Sequence, residues 1–294
     1  MMTQLTRSAT LLAATSVAAF LCPDVSATGP ATVELTGTVR DFKERRTHGG
    51  HRDFERRPRK GFGLYCGNIH PSIGADGLPV FTDDGNRVDG QATDAAGNPI
   101  CYLLYDASLG DSPIDWGPAC DGGIASSWSF YSWYRDVPGT NLSQTLSLTF
   151  VRQADGSYVF DDSTDPLYAS LGGFFPIDHQ MYGNSGGSPD HNFHFTFELH
   201  TEFVYDEDQT NYFQFVGDDD VWVYIDGQLV IDLGGVHGAT EQYVDLGRLG
   251  LTDGETYSLD FFFAERHRTQ SNFRIATTLQ LVETGVPSIT AAFD

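Results

Sequence analysis

The sequence predicts an all-β fold, an antiparallel two-layer sandwich, on three observations. Aromatic residues make up 13% of the 294 residues, whereas charged residues reach only 19%. Apolar residues alternate with polar ones in short runs, and 32 glycines, many next to Asp or Asn, punctuate those runs. No stretch keeps a helical apolar period for more than two or three turns. Short alternating runs bounded by turn residues are the pattern of half-buried strands, because successive side chains point to opposite faces of a sheet.

Taken in order, residues 1–27 read as an export signal. Arg7 supplies the positive start, Leu11 to Leu21 an apolar stretch too short to span a bilayer, and Val25-Ser26-Ala27 a small-residue cleavage site. Cys22 follows Phe20-Leu21, where a lipoprotein signal places a small residue, so it is expected to leave with the signal. No later stretch looks transmembrane. The mature chain of about 267 residues is expected to be secreted, extracellular or at the cell surface, and is long enough for a substantial core. We divide it into an N-terminal β-rich part at 28–160, a core at 161–282 and a loose tail at 283–294.

Charge is unevenly spread. Residues 40–60 hold nine of the 17 Lys and Arg residues, and the rest of the mature chain has seven basic residues against 35 acidic ones. An acidic body of that kind disfavours nucleic acid, which selects a net basic face. The basic loop, Lys43 to Lys60, reads either as a solvated insert offsetting the body or as a patch for an anionic partner, and its glycine-broken sequence has no apolar helical face for a membrane.

Three mature cysteines remain, Cys66, Cys101 and Cys120, and the favoured pairing is Cys101 with Cys120, which would close the Pro/Gly-rich segment between them. Residues 67–140 carry many turn signals and an aromatic cluster at Trp128, Phe130, Tyr131, Trp133 and Tyr134, which reads as packed core more readily than as a sugar-stacking surface. Leu146, Leu148 and Phe150 then give a strand, Asp155-Gly156 a turn and Tyr158 to Phe160 a second strand.

The second half alternates more clearly. Phe193, Phe195, Phe197, Leu199 and Phe203 share one face of a long strand, opposite His194, Thr196, Glu198, His200 and Glu202. Leu259, Phe261 and Phe263 alternate likewise, as do Phe273, Ile275, Thr277, Leu279 and Leu281. Between them lies an apolar hairpin, Val221 to Leu233, broken by Asp226-Gly227, a pair suited to the two positive φ values of a type I′ turn.

Asp218, Asp219 and Asp220 stand at the entry to that hairpin. Three adjacent carboxylates repel one another unless exposed, partly protonated or neutralised by a cation, and hard oxygen ligands favour calcium over zinc. They do not form an EF-hand loop, which would need a glycine at its sixth position and a glutamate at its twelfth.

The run Gly217-Asp218-Asp219-Asp220-Val221-Trp222-Val223-Tyr224-Ile225-Asp226-Gly227, followed by Leu233-Gly234-Gly235-Val236-His237, resembles the fibro-slime domain of secreted bacterial and slime-mould proteins, a relative of the protective-antigen-type β-sandwich. Gly172-Gly173-Phe174-Phe175-Pro176-Ile177, His191-Asn192-Phe193-His194-Phe195-Thr196, Ala264-Glu265-Arg266-His267 and Ser271-Asn272-Phe273-Arg274 fit the same pattern in order, with an echo at Gly37-Thr38-Val39-Arg40-Asp41-Phe42. The resemblance implies a protective-antigen-type sandwich with long loop insertions. It also implies a calcium-assisted carbohydrate-binding or adhesive module, acting on extracellular carbohydrate or glycoconjugate in matrix or slime organisation. In sugar-binding relatives two consecutive aspartates joined by a cis peptide hold calcium, and an asparagine on a neighbouring loop completes the site. Those positions fall on Asp218, Asp219 and Asn272, with Asp220 a further metal candidate and His237, Arg266 and His267 further candidates for contact with sugar.

Glu265, His267 and His237 form no hydrolase motif, and an enzyme is not expected. Gly234-Gly235 is a turn, not a phosphate cradle, and His191-x-x-His194 places its imidazoles on opposite sides of a strand. The alternative to a glycan-binding module is a structural matrix protein in which calcium only fastens loops.

Overall fold

The structure, a computed structural model, describes residues 29–282; the expected export signal and C-terminal tail lie outside the described residues. Strand β1 (Thr32–Phe42) opens the chain. A long insert follows, holding β2 (Tyr65–Cys66), β3 (Asn86–Gly90), β4 (Ala92–Thr93), β5 (Pro99–Ile100), β6 (Asp115–Ala119) and the single-turn helix α1 (Ser127–Phe130). Then come β7 (Asn141–Arg152), β8 (Tyr158–Asp161), α2 (Pro166–Leu171), β9 (Phe195–Val204), β10 (Tyr212–Gly217), β11 (Asp220–Ile225), β12 (Gln228–Leu233), β13 (Thr240–Asp245), β14 (Thr256–Glu265) and β15 (Phe273–Thr277).

Ten of these strands form one antiparallel sheet in the order β12-β11-β14-β9-β1-β7-β8-β15-β10-β13. The sheet folds on itself into two layers, so that Val221, Val223, Phe261, Phe263, Phe195 and Phe197 share a core with Phe150, Phe160, Phe213, Phe215, Phe273 and Ile275. The fold lies at β1. All eleven of its residues pair with β7, but only Thr38 to Asp41 pair with β9. Phe273 sits near the middle of the core, stacked on Phe174 at 4.4 Å and edge-on to Phe215 and Phe263.

The predicted hairpin turn is present, with φ of 50° at Asp226 and 72° at Gly227, and it joins β11 to β12. Every residue of β11 is buried, which alternation alone does not predict for a sheet solvated on one side. The cause is the insert. Trp222, Tyr224 and Phe262, on the outer face, pack against Ile69, Phe81, Ile124, Phe130, Trp133 and Tyr134. The aromatic cluster therefore divides: Phe130, Trp133 and Tyr134 are core, whereas Trp128 and Tyr131 are exposed and stacked on each other at 6.0 Å.

The two outermost strands are joined by a side chain. The backbone N–H of Asp232 on β12 donates to Gln242 Oε1 on β13 at 2.8 Å, and Gln242 Nε2 donates back to the Asp232 carbonyl at 3.2 Å.

The favoured disulfide is not formed. Cys66, Cys101 and Cys120 are all free and buried. Cys101 lies near Cys66 and Asp232, whereas the Cys120 thiol sits beside Asp121 and its carbonyl accepts from Asn68, so the insert places the two thiols in different surroundings.

Candidate functional site

The acidic run begins where β10 ends. Gly217 makes this possible, since a Cβ there would lie 2.2 Å from the carbonyl oxygen of Asn272. With only hydrogen in the way, the chain entering β15 comes against the end of β10, and the Asp218 N–H donates to that carbonyl at 3.3 Å. Asn272 answers with two bonds: its backbone N–H donates to Asp218 Oδ1 at 2.6 Å and its Nδ2 to Asp218 Oδ2 at 2.8 Å. The Asp218–Asp219 peptide is cis. Asp219 turns towards β14, accepting from the N–H of Arg266 and, through its other oxygen, from the N–H of His237, each at 3.2 Å. The structure thus brings together Asp218, Asp219, Asn272, His237, Arg266 and His267 from three separate stretches of chain.

Two of the predicted residues have a different task from the one expected. Both oxygens of Asp220 are taken by the Arg266 guanidinium, one of them also by the Gly235 N–H at 2.6 Å, and neither side chain of the pair is exposed. Arg266 Nη2 also donates to the Gly122 carbonyl, and the guanidinium lies 5.1 Å from the Trp133 ring centroid. Asp220 is therefore spent on an ion pair rather than free as a metal ligand, and Arg266 points into the frame beneath the site rather than outward to a sugar. Asn272, His237 and His267 are the half-exposed members.

The excess charge lies with Asp218, Asp219 and a residue not assigned to the metal from the sequence, Glu265. The Glu265 side chain is buried at the end of β14; Oε1 accepts from the His267 N–H at 3.2 Å, and the Ser271 hydroxyl beside it tempers the rise of its pKa. Burial, then repulsion from Asp219 and Asp218, pushes the Glu265 carboxyl well above the ordinary range. Burial and the neighbouring Asp218 raise Asp219 in the same way, and burial raises Asp218 against the hydrogen bonds from Asn272. The ring of His237 is buried although the residue as a whole is half-exposed; that burial lowers its pKa, and its Nε2 is without a partner among the described residues. Three buried carboxylates that repel one another, with Arg266 already engaged by Asp220, favour binding protons or a cation, although their oxygens are not among the groups that gather within 4.8 Å in the described residues. Their donors are all oxygen, which fits a hard divalent cation of the calcium class. The sequence signal for Glu265 was its position, closing the alternation of β14 immediately before Arg266.

A second cluster has no sequence signal at all. Glu44, Glu55 and His194 bring their ligand atoms within 4.8 Å of one another, but Arg268 lies among them, its N–H donating to Glu55 at 3.0 Å and its guanidinium paired with Glu44. That arginine supplies the positive charge which a metal would otherwise bring.

Residues 176–292, which include the acidic run, Glu265 and Asn272, match the family model described as the PA14 domain. Strands β1, β7 and β8 lie outside that span yet belong to the same sheet. The chain is 35% identical over 226 residues to protein psiD of Dictyostelium discoideum, a match covering 74% of this chain and 36% of that protein. It is 42% identical over 165 residues to protein psiI of the same organism, covering 51% of this chain and 21% of the relative. The chain thus spans only about a third or less of the length of these curated relatives. Among solved structures, a PA14 sugar-binding domain from an RTX adhesin aligns over 76% of this chain and 99% of its own, at 10% identity and a TM-score of 0.24.

Proposed function

We propose that this protein is a secreted, calcium-assisted carbohydrate-binding or adhesive module of the cell surface or extracellular matrix, of the fibro-slime kind. The observation that carries the reading is the burial of Asp218, Asp219 and Glu265, whose charges repel one another while the buried Arg266 is engaged by Asp220. Asp218, Asp219 and Asn272 would hold the ion, with Glu265 adding charge behind them. A calcium ion would supply a Lewis-acidic anchor for the hydroxyls of a sugar. Asn272, His237 and His267 would frame its approach. The match to the PA14 model over this segment supports the carbohydrate-binding or adhesive part of the reading.

The test is a calorimetric calcium titration of the purified protein beside Asp219→Asn, which keeps the shape and removes one charge. One-site binding in the parent, strongly weakened in the variant, is expected; no heat and no calcium-dependent melting shift would remove calcium from the proposal. At a dissociation constant of about 0.1 mM, about 2 mM calcium would stabilise the fold by roughly 1.8 kcal/mol. For a domain of this size that raises the melting temperature by about 2–4 °C.

One observation favours a second reading, in which calcium only fastens loops. Asp218 and Asp219 are 2% and 4% exposed, which leaves little of either carboxylate at the surface. Retention on immobilised glycans that disappears with chelator supports the first reading; calcium binding without any glycan retention supports the second.

A further inference from the structure

We propose that the cavity lined by Arg45, Arg52, Arg56, Arg57, Arg59 and Ala125 is a subsite for an anionic sugar residue of an acidic polysaccharide. The proposal rests on the carbohydrate reading for the class of ligand, but not on calcium.

The cavity is open to solvent and offers about 360 Å³, room for more than a single small ion. Among the described residues, two of its arginines have a carboxylate to answer them, Arg56 at 2.9 Å and Arg59 at 3.5 Å, and both use Asp121. Arg45, Arg52 and Arg57 are exposed and have no carboxylate partner among the described residues. A loop that merely offset an acidic body would spread its guanidinium groups onto the surplus acids around it. Five guanidinium groups about one cavity instead repel one another and favour an oxyanion there.

The backbone of the loop is also held in place, so the arginines project towards the cavity from fixed positions on the chain. Asp53, at the loop's centre, is buried and accepts from the N–H of Ala125 at 2.7 Å and from Trp133 Nε1 at 3.0 Å. Phe54 beside it is buried and stacked on Phe42 at 4.4 Å. Backbone bonds from Arg45 to Phe54 and from Glu55 to Arg266 fasten both ends of this segment. A preorganised cluster loses less freedom on binding than a mobile one.

A path on the surface joins the cavity to the acidic site. The Arg57 guanidinium lies 5.3 Å from the ring centroid of the exposed Phe62, and the same ring meets the imidazole of His267 edge-on at 4.8 Å. An apolar ring between a cationic pocket and a polar rim suits the alternating apolar faces and charged substituents of an acidic sugar chain. The strongly acidic body around this patch opposes long rods and broad surfaces of negative charge, which places a polysaccharide ahead of nucleic acid or a membrane.

The test measures retention of the full chain on dextran, dextran sulfate and polygalacturonate at physiological salt with chelator present, so that the acidic site takes no part. Double-stranded DNA and phosphatidylserine vesicles serve as competitors. Binding to one or both acidic polymers but not to dextran is expected, and the pattern distinguishes sulfate from carboxylate recognition. The triple variant Arg45→Gln, Arg52→Gln, Arg57→Gln should bind roughly tenfold or more weakly, since charge-assisted hydrogen bonds of this type are individually worth about that factor. Its melting temperature and calcium response should be those of the parent, and Asp219→Asn should keep its affinity for the acidic polymers. Retention of the variant equal to the parent, no retention of the parent, or stronger competition by DNA or vesicles than by free acidic polysaccharide would each overturn the proposal.

Discussion

Arg266 grips Asp220 with two of its nitrogens, and neither side chain reaches solvent. The pair lies 46 residues apart in sequence and ties the start of β11 to the end of β14, the two strands whose ends carry Asp219 and Glu265. The ion pair is the floor on which the acidic site stands.

Removing one member alone leaves a buried charge without a partner. Asp220→Ala or Arg266→Ala is expected to lower stability by about 3–5 kcal/mol, and the double change by less than the two together. Denaturant midpoints of the three variants check this; additive losses would mean that the pair is not the coupling element.

The site carboxylates are expected to exchange protons for calcium. Asp218, Asp219 and Glu265 have native pKa values above their unfolded ones, so the folded chain holds protons that the unfolded chain has released. Without calcium, their contribution to stability is greatest in mild acid and falls as pH rises through the native values. Calcium must displace those protons, so affinity should rise from pH 5 towards pH 8. Titrations in two buffers with different heats of ionisation should give different enthalpies, and equal enthalpies would take these groups out of the ligand set.

Glu265→Gln isolates the charge behind the ligands. Because burial, and then repulsion from Asp219 and Asp218, pushes the Glu265 carboxyl up, the neutral amide resembles its expected calcium-free form. The variant is expected to melt near the parent temperature without calcium, yet to bind calcium more weakly by roughly tenfold or more, the loss usual when a supporting group is removed from a metal site. Unchanged affinity would place Glu265 outside the site.

His200 gives an independent pH signal on the outer face of the sheet. Hydrogen bonding to Asp260 and Glu198 outweighs its burial and raises it to about 9. Its contribution is fully present below the unfolded value, near 6.5, and is lost as pH rises through about 9. His200→Gln should therefore flatten the fall in melting temperature between about pH 6.5 and 9. A slope identical to that of the parent would assign the loss elsewhere.

Gly217→Ala tests the close approach that builds the site. The added methyl would meet backbone at 2.2 Å and the Phe215 ring at 2.6 Å, so the Asn272 segment must move. A loss of about 1–3 kcal/mol is expected, with weaker calcium binding in the same variant. Thermal unfolding with and without calcium separates the two effects.

Much of the sandwich was legible because its signals are local. Period-two alternation marked β9, β14 and β15, and Asp226-Gly227 marked the β11–β12 turn, since each depends only on near neighbours. The acidic run and Asn272 were legible through their motifs, and the structure hydrogen-bonds Asn272 directly to Asp218. What remained hidden depends on distant pairing. Nothing near Asp220 shows that Arg266 will occupy it, and nothing in the turn-rich segment 67–140 shows that Phe81 and Tyr134 will cover the back of β11 and β14. Cysteine spacing likewise gave the wrong pairing, because the insert's path, not loop length, decides which thiols meet.

The bridge between Gln242 and Asp232 has a consequence for how many copies of such a chain can live side by side. A sheet with bare outer strands is a template on which a second molecule can extend the ladder. Here the two margins engage one another. The insert also guards both, through Leu229 donating to the Pro71 carbonyl on one side and Gln91 Nε2 donating to the Glu241 carbonyl on the other. Crowded together, such chains have few unfilled rungs to offer each other, and association is left to side chains and shared ligands.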